Sequence, residues 1–137
     1  MKARRLVAVW SLLPIISMVG CYYNSGITTE KIDALIKQEV PANADKAQVL
    51  AFLDAHAITH TDVAEFPKGY LEEPELDSDL SSDKLKGKVG RVRKYAVANI
   101  PTTKIRPLVT YNLIIKFYFD KDDRLVEYLV RSVGTGF

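Results

Sequence analysis

At 137 residues with 47% hydrophobic and 26% charged side chains, the chain has enough apolar content for one core, and its length is that of a single domain. It is too apolar for a disordered chain and shows no internal repeat or low-complexity tract, which sets aside solenoid architectures. The formal charge is +2, but three cations stand in the first five residues; without them 16 basic residues face 17 acidic ones, a charge of −1, so no nucleic-acid signature remains.

The first predicted element is an export leader. Lys2, Arg4 and Arg5 precede Leu6–Gly20 ("LVAVWSLLPIISMVG"), which carries no charge. A basic start followed by a run of apolar residues and a small-residue cut site is the outline of a secretory signal peptide, here 1–20. The apolar run enters the membrane while the cations stay on the cytoplasmic side. An uncleaved signal anchor is the competing reading; against it, Pro14 lies inside the run and Asn24 and Ser25 near its end.

Ser17-Met18-Val19-Gly20-Cys21 resembles the lipobox of bacterial lipoproteins. The resemblance implies a diacylglyceryl thioether on Cys21, cleavage just before it, and acylation of the new amino group. It also accounts for the lone cysteine, because a thiol consumed as a thioether cannot form a disulfide in an oxidising compartment. Stable anchoring needs more than one acyl chain, and a diacylglyceryl group supplies two. Tyr22 rather than Asp follows Cys21, which in that family implies the outer membrane, facing the periplasm. Residues 21–29 are then the lipidated cysteine and a tether, and 30–137 a single domain.

Within the domain, "TTEKIDALIKQEV" places Ile32, Leu35 and Ile36 at helical spacing, with Thr28 or Thr29 as N-cap and Pro41 closing the segment. A second helix is capped by Asn43 or Asp45; Asp45 with Gln48 forms a capping-box pattern, and Val49, Phe52, Leu53 and His56 fall on one face beside Leu50. "AITHTDVAEF" alternates weakly, as one poor strand. Segments 89–100, 108–119 and 124–133, rich in Val, Ile, Tyr and Phe, are predicted strands. "FDKDDRL" reads as a hairpin turn. Closing Phe119 against Arg124 pairs Phe117 with Val126, Ile115 with Tyr128 and Leu113 with Val130 on one face. The other face then holds Tyr118 opposite Leu125, Lys116 opposite Glu127, Ile114 opposite Leu129 and Asn112 opposite Arg131.

The expected fold class is α+β, with two N-terminal helices packed on one face of a small antiparallel sheet of three to four strands. The helices cover the wholly apolar face. The mixed face, with Ile114, Tyr118, Leu125 and Leu129, is the candidate partner surface. "ANADKAQVLAFLDAH" and "IKFYFDKDDRLVEYLV" resemble the helix and the closing hairpin of small envelope lipoproteins of the SmpA/OmlA type. That resemblance implies the fold of β-lactamase inhibitory protein.

Catalytic chemistry finds little support. His56 and His60, the only histidines, are four apart, with Asp54 and Asp62 nearby, but the β-branched Ile58-Thr59 between them argues that the helix has ended. No further His and no free Cys completes a zinc site. Asp77, Asp79 and Asp83 fail the calcium-loop pattern, which has Ser82 and Lys88 where Gly and Glu belong. No nucleophile motif surrounds any Ser, and Gly87 and Gly90 make no phosphate loop. No catalytic, cofactor or metal site is therefore assigned. Charge is segregated: Glu65, Glu72, Glu73, Glu75, Asp77, Asp79 and Asp83 precede Lys84, Lys86, Lys88, Arg91, Arg93 and Lys94. Either the two blocks neutralise each other internally, or loop 67–87 and the basic strand after it present a two-signed surface to a partner.

These readings make the protein a lipid-anchored, non-catalytic interaction module whose partner is an envelope protein or a second copy. An inhibitor or ligand-sensing lipoprotein, binding a secreted enzyme or a small ligand, is the alternative. A metal-dependent hydrolase is the third reading.

Overall fold

The computed structural model describes residues 28–106 and 109–136; the leader, Cys21 and most of the tether lie outside the described residues. Helix α1 spans Thr29–Glu39 and begins where Thr28 Oγ1 accepts the Lys31 amide at 3.2 Å. It stops as Val40 turns extended ahead of Pro41, which has no N–H to continue the ladder. Helix α2, Lys46–Ala55, carries a complete capping box. The Gln48 amide donates to Asp45 Oδ1 at 2.8 Å, and the Asp45 amide donates to Gln48 Oε1 at 3.0 Å. It ends at Ala55 with His56 as C-cap, and beyond it Ala57 adopts a left-handed φ of 53° while the Ile58 amide reaches back to the Leu53 carbonyl at 2.9 Å.

The fold is α+β with an antiparallel sheet of five strands, more than the three or four expected. The weakly alternating stretch makes two short strands instead of one, β1 (Thr59–His60) and β2 (Ala64–Glu65), because each reaches only part of the same neighbour. Both lie on the outer edge of β3 (Lys94–Arg106), followed by β4 (Val109–Phe119) and β5 (Leu125–Gly136). Strand β3 starts later than expected, since Val89–Arg91 forms a 3₁₀ turn.

Residues Ile115 and Val130, Phe117 and Tyr128, Lys116 and Leu129, and Tyr118 and Glu127 are the opposed pairs of β4 and β5. The register thus lies two residues away from the expected one. A slip of two keeps side chains on their faces while exchanging their neighbours. Its cause is the turn. Asp120 Oδ1 accepts the amides of Asp122 and Arg124 at 2.8 and 3.0 Å, Asp123 adopts a φ of 60°, and the strands close at Phe119–Leu125. Val126 is then left as a β-bulge, and the bulge turns Leu125 over to the opposite face.

Two cores follow from the alternation. Ile32, Ile36, Val49, Phe52 and Leu53 of the helices share one cluster with Ala96, Ala98 and Ile100 of β3, Leu113, Ile115, Phe117 and Phe119 of β4, and Tyr128. Tyr128 also ties the sheet to α1, its hydroxyl donating to Asp33 Oδ1 at 2.7 Å. On the opposite face Tyr118 clusters with Leu80, Leu85 and Val92. These three belong to residues 66–93, which contain no α-helix or strand and fold through four short 3₁₀ turns.

Phe117 is fully buried, so Phe117→Ala is expected to cost about 3–5 kcal/mol in urea unfolding. Leu76, which is 78% exposed, is the control, and Leu76→Ala should fall within about 0.5 kcal/mol of wild type. Ala57→Gly, relieving a left-handed alanine, should raise the midpoint by the equivalent of roughly 0.5–1 kcal/mol.

Candidate functional site

The four residues of the expected partner face do not form one open surface. Tyr118 is 2% exposed, buried beneath residues 66–93. Its ring lies parallel to that of Phe66 at 6.3 Å, and Phe66 also meets Tyr95 at 4.6 Å. Leu129 is half-buried against the same cluster, and Leu125 packs on the other side of the sheet, into the helix-side core. Ile114 alone stays on the mixed face beyond the edge of the cover, and it too is half-buried. The signal for this cover lay in "LSSDKLKGKVGRV", where Leu80, Leu85, Val89 and Val92 are spaced without helical or strand period among charges. An apolar content of that kind in an acidic loop marks a segment that docks.

Charge fixes the cover in place. Asp79, 5% exposed, is ion-paired with both Lys116 of β4 and Arg131 of β5. Glu127 of β5 takes Lys88 at 2.8 Å and Lys84 at 3.8 Å, and Lys84 Nζ also sits 4.1 Å over the Tyr128 ring. Burial pushes the Glu127 carboxyl up, but the hydrogen bond from Lys88, the Tyr128 amide and the charge of Lys84 outweigh it and hold the group below its ordinary value. Burial raises the Tyr118 phenol well above its usual range. The expected Lys116–Glu127 cross-strand pair is absent because the slipped register sets Glu127 opposite Tyr118. Among the described ion pairs none joins the two blocks: Asp79 pairs with β4 and β5, Lys88 with β5, Lys84 with β5 and with Asp33 of α1, and Lys94 with Asp123 of the hairpin turn.

Asp77 organises the cover from within. Its Oδ1 accepts the amides of Asp79 at 2.7 Å and Leu80 at 3.1 Å, and its Oδ2 accepts the Tyr70 hydroxyl. Burial works against this carboxylate, while those donors hold it below its ordinary value. Asp83 stands apart, exposed in the first turn of a 3₁₀ segment, so the three aspartates of the expected loop do not converge.

The histidines are likewise separated. His56 is the C-cap of α2, 4% exposed, with its Nε2 on the Glu39 carboxylate and its ring 4.7 Å from that of Phe52. His60, on β1, has Nδ1 on the Thr61 carbonyl at 2.8 Å and Nε2 on Asp54 at 2.7 Å; the carbonyl first and then the carboxylate raise its pKa. Because α2 ends at Ala55, the two imidazoles do not share a helix face. No group of three or more His, Cys, Asp or Glu is placed to hold a metal among the described residues.

What stays uncovered on the mixed face is a strip past Asp79. It consists of Val97 and Asn99 of β3, Asn112 and Ile114 of β4, and Arg131 and Val133 of β5, placed side by side by the ladder. Val133 is 39% exposed, and the buried Oδ1 of Asn99 has no hydrogen-bond partner among the described residues. An open groove of about 930 Å³ flanks the cover, lined by Phe66, Leu71, Pro74 and Val89 together with Lys68 and Arg93. No protein-family model, curated protein or solved structure matches the chain.

Removing the Asp79 carboxylate leaves Lys116 and Arg131 without their shared partner. Asp79→Ala is expected to lower stability by about 1–3 kcal/mol, below the cost at a fully buried pair because both cations can rehydrate. Stability should also depend on pH. Asp33, Asp77 and Glu127 have folded pKa values below their ordinary ones, so their contribution is present above about pH 4–5 and is lost as pH falls through the folded values. His60 has the opposite sign: it stabilises below its ordinary 6.5 and ceases to do so as pH rises through its raised folded value. Urea midpoints measured from pH 3 to 9 should therefore fall steeply on the acid side, and His60→Gln should flatten only the neutral-to-alkaline decline.

Proposed function

We propose that this chain is an exported bacterial lipoprotein, held at the outer membrane through acyl chains on Cys21, whose domain is a non-catalytic protein-interaction module. The observation that carries the reading is the N-terminal pattern: cations, an uncharged run, and the chain's sole cysteine directly after Val19-Gly20. In this reading α1 and α2 cover one sheet face, residues 66–93 cover most of the other, and the strip with Ile114, Arg131 and Val133 meets an envelope protein. An exposed aliphatic beside a cation held by a buried carboxylate suits a protein contact. Among the described residues no helix is long and apolar enough to cross a membrane.

A second reading, a ligand-sensing or inhibitory lipoprotein, is favoured by the groove beside the cover. Its lining joins Phe66, Leu71, Pro74 and Val89 to four cations, Lys68, Arg93, Lys94 and Lys121, against Glu65 and Glu72, and that excess of positive charge suits a small anion with an apolar body. The two readings differ in what saturates the protein: a small molecule in the groove or a protein on the strip.

Intact-mass measurement of material from its own host should find a polypeptide starting at Cys21 and carrying acyl chains. A chain with Met1 in place and no added mass ends the lipoprotein reading. For the strip, Ile114→Asp with Val133→Asp should abolish crosslinks to envelope proteins while leaving circular dichroism unchanged; an undiminished crosslink pattern removes that surface from the function.

A further inference from the structure

Every sheet of open form has two edges whose main-chain donors and acceptors invite another strand, and soluble proteins block them. In this molecule β1 and β2 cover part of the β3 edge, and side chains block the β5 edge at one point. On β3, Val97 exchanges bonds with Thr61, its amide donating to Thr61 Oγ1 at 3.0 Å and its carbonyl accepting the Thr61 amide at 2.9 Å. Val97 therefore aims its main chain away from β4. Four residues on and in the same phase stands Pro101, which has no N–H to offer, and the regular ladder breaks between Pro101 and Ile105. On β5, the Tyr128 amide donates to Glu127 Oε1 at 3.0 Å and the Tyr128 carbonyl accepts Lys84 Nζ at 3.0 Å. Side chains thus occupy both outward groups at that point.

Tyr128 also fixes the phase of this edge. Residues two apart point the same way, so Val130, Ser132 and Gly134 direct their N–H and C=O groups outward as Tyr128 does. Strand β5 pairs only with β4, and among the described residues nothing takes these groups. The stretch is flanked by Val133, one of three large apolar residues that stand exposed among those described.

We propose that the β5 edge from Val130 to Gly134 pairs antiparallel with the same edge of a second copy, about a two-fold axis at Ser132. This register sets Ser132 against the partner's Ser132 and Val130 against the partner's Gly134, so each outward residue exchanges both of its main-chain bonds. A register centred one residue earlier opposes Arg131 to the partner's Arg131, like charges face to face. Registers centred earlier still require Tyr128, whose edge groups are taken. Centring on Ser132 puts Arg131 opposite the partner's Val133, and the aliphatic stem of the arginine covers the exposed valine while Asp79 keeps its charge. The two sheets become one, continuous across the axis. The proposal rests on the main-chain groups of the β5 edge and does not require the lipid anchor.

The test is thiol crosslinking of the full chain in host membranes. Cys21 is kept so that membrane attachment is undisturbed, the unsubstituted chain gives the background from that residue, and Ser132→Cys adds one thiol; across a hydrogen-bonded antiparallel pair the Cα atoms stand about 5.5 Å apart, within disulfide reach. Mild oxidation should give a covalent dimer at least about tenfold faster than with Leu76→Cys, an exposed control site away from the edge. Arg131→Cys with Val133→Cys in the same chain should also crosslink, and Arg131→Cys alone should not. Ser132→Pro, tolerated by an edge strand whose N–H faces outward, should abolish the dimer seen with an amine crosslinker. A Ser132→Cys rate no greater than the control overturns the proposal, as does a dimer that survives Ser132→Pro. So does a crosslink from position 132 to a different protein with none to itself. Should Ser132→Pro fail to fold by circular dichroism, the Ser132→Cys comparison decides alone.

Discussion

A long three-stranded core of sheet has two faces, and the chain supplies helices for one. The second face carries Tyr118, Lys116 and Leu129, and burying Tyr118 requires something to lie over it. The constraint is met by residues 66–93, which bring Leu80, Leu85 and Val92 to the tyrosine and one buried carboxylate, Asp79, to the cations of two adjacent strands. Apolar contact supplies the drive, since each fully buried aliphatic contributes on the order of 1.5–3 kcal/mol. The ion pairs supply position: a carboxylate placed between Lys116 and Arg131 admits only one seating of the segment, because any other leaves a buried charge unpaired.

That seating determines which surfaces remain for function. It removes Tyr118 from the solvent, leaves a strip of sheet beyond Asp79, and creates the groove at its own flank. Asp79 comes from the acidic block and Lys84 and Lys88 from the basic one, and each finds its counter-charge on β4 or β5.

Local chemistry was legible in the sequence wherever a residue acts on its immediate neighbours. The Asp45–Gln48 box, the Thr28 cap and the apolar face of α2 all follow from spacing and side-chain reach, and the structure has each of them. The strands were visible from β-branched and aromatic runs, and because the slip was even the face assignment held along β4 and β5 except at Leu125 and Val126, which the bulge exchanged. What stayed hidden depends on geometry that no period encodes. Two amides bound by Asp120 and a left-handed Asp123 reset the hairpin, produced the bulge at Val126 and turned Leu125 over. Residues 67–87 read as a charged loop and 89–93 as the start of a strand, because the scattered Leu80, Leu85, Val89 and Val92 show neither a period of two nor one of 3.6. The face of Tyr118 was read correctly and its exposure was not. The leader and the cysteine motif lie outside the described residues and rest on the sequence.

The junction of α2 with the hairpin turn carries a further consequence. The Lys46 amide donates to the Asp123 carbonyl at 2.9 Å and the Leu125 amide to the Ala44 carbonyl at 2.7 Å, with Asp45 bridged to Arg124 between them. A helix start and a hairpin tip far apart along the chain are thus stitched by main-chain bonds. The β4–β5 hairpin closes from local contacts, but this stitch forms only after a long loop has been drawn shut, a step limited by chain entropy. The stitch therefore closes a longer loop than the contacts that seat residues 66–93, whose Asp79–Lys116 and Lys88–Glu127 pairs join residues 37 and 39 apart in sequence.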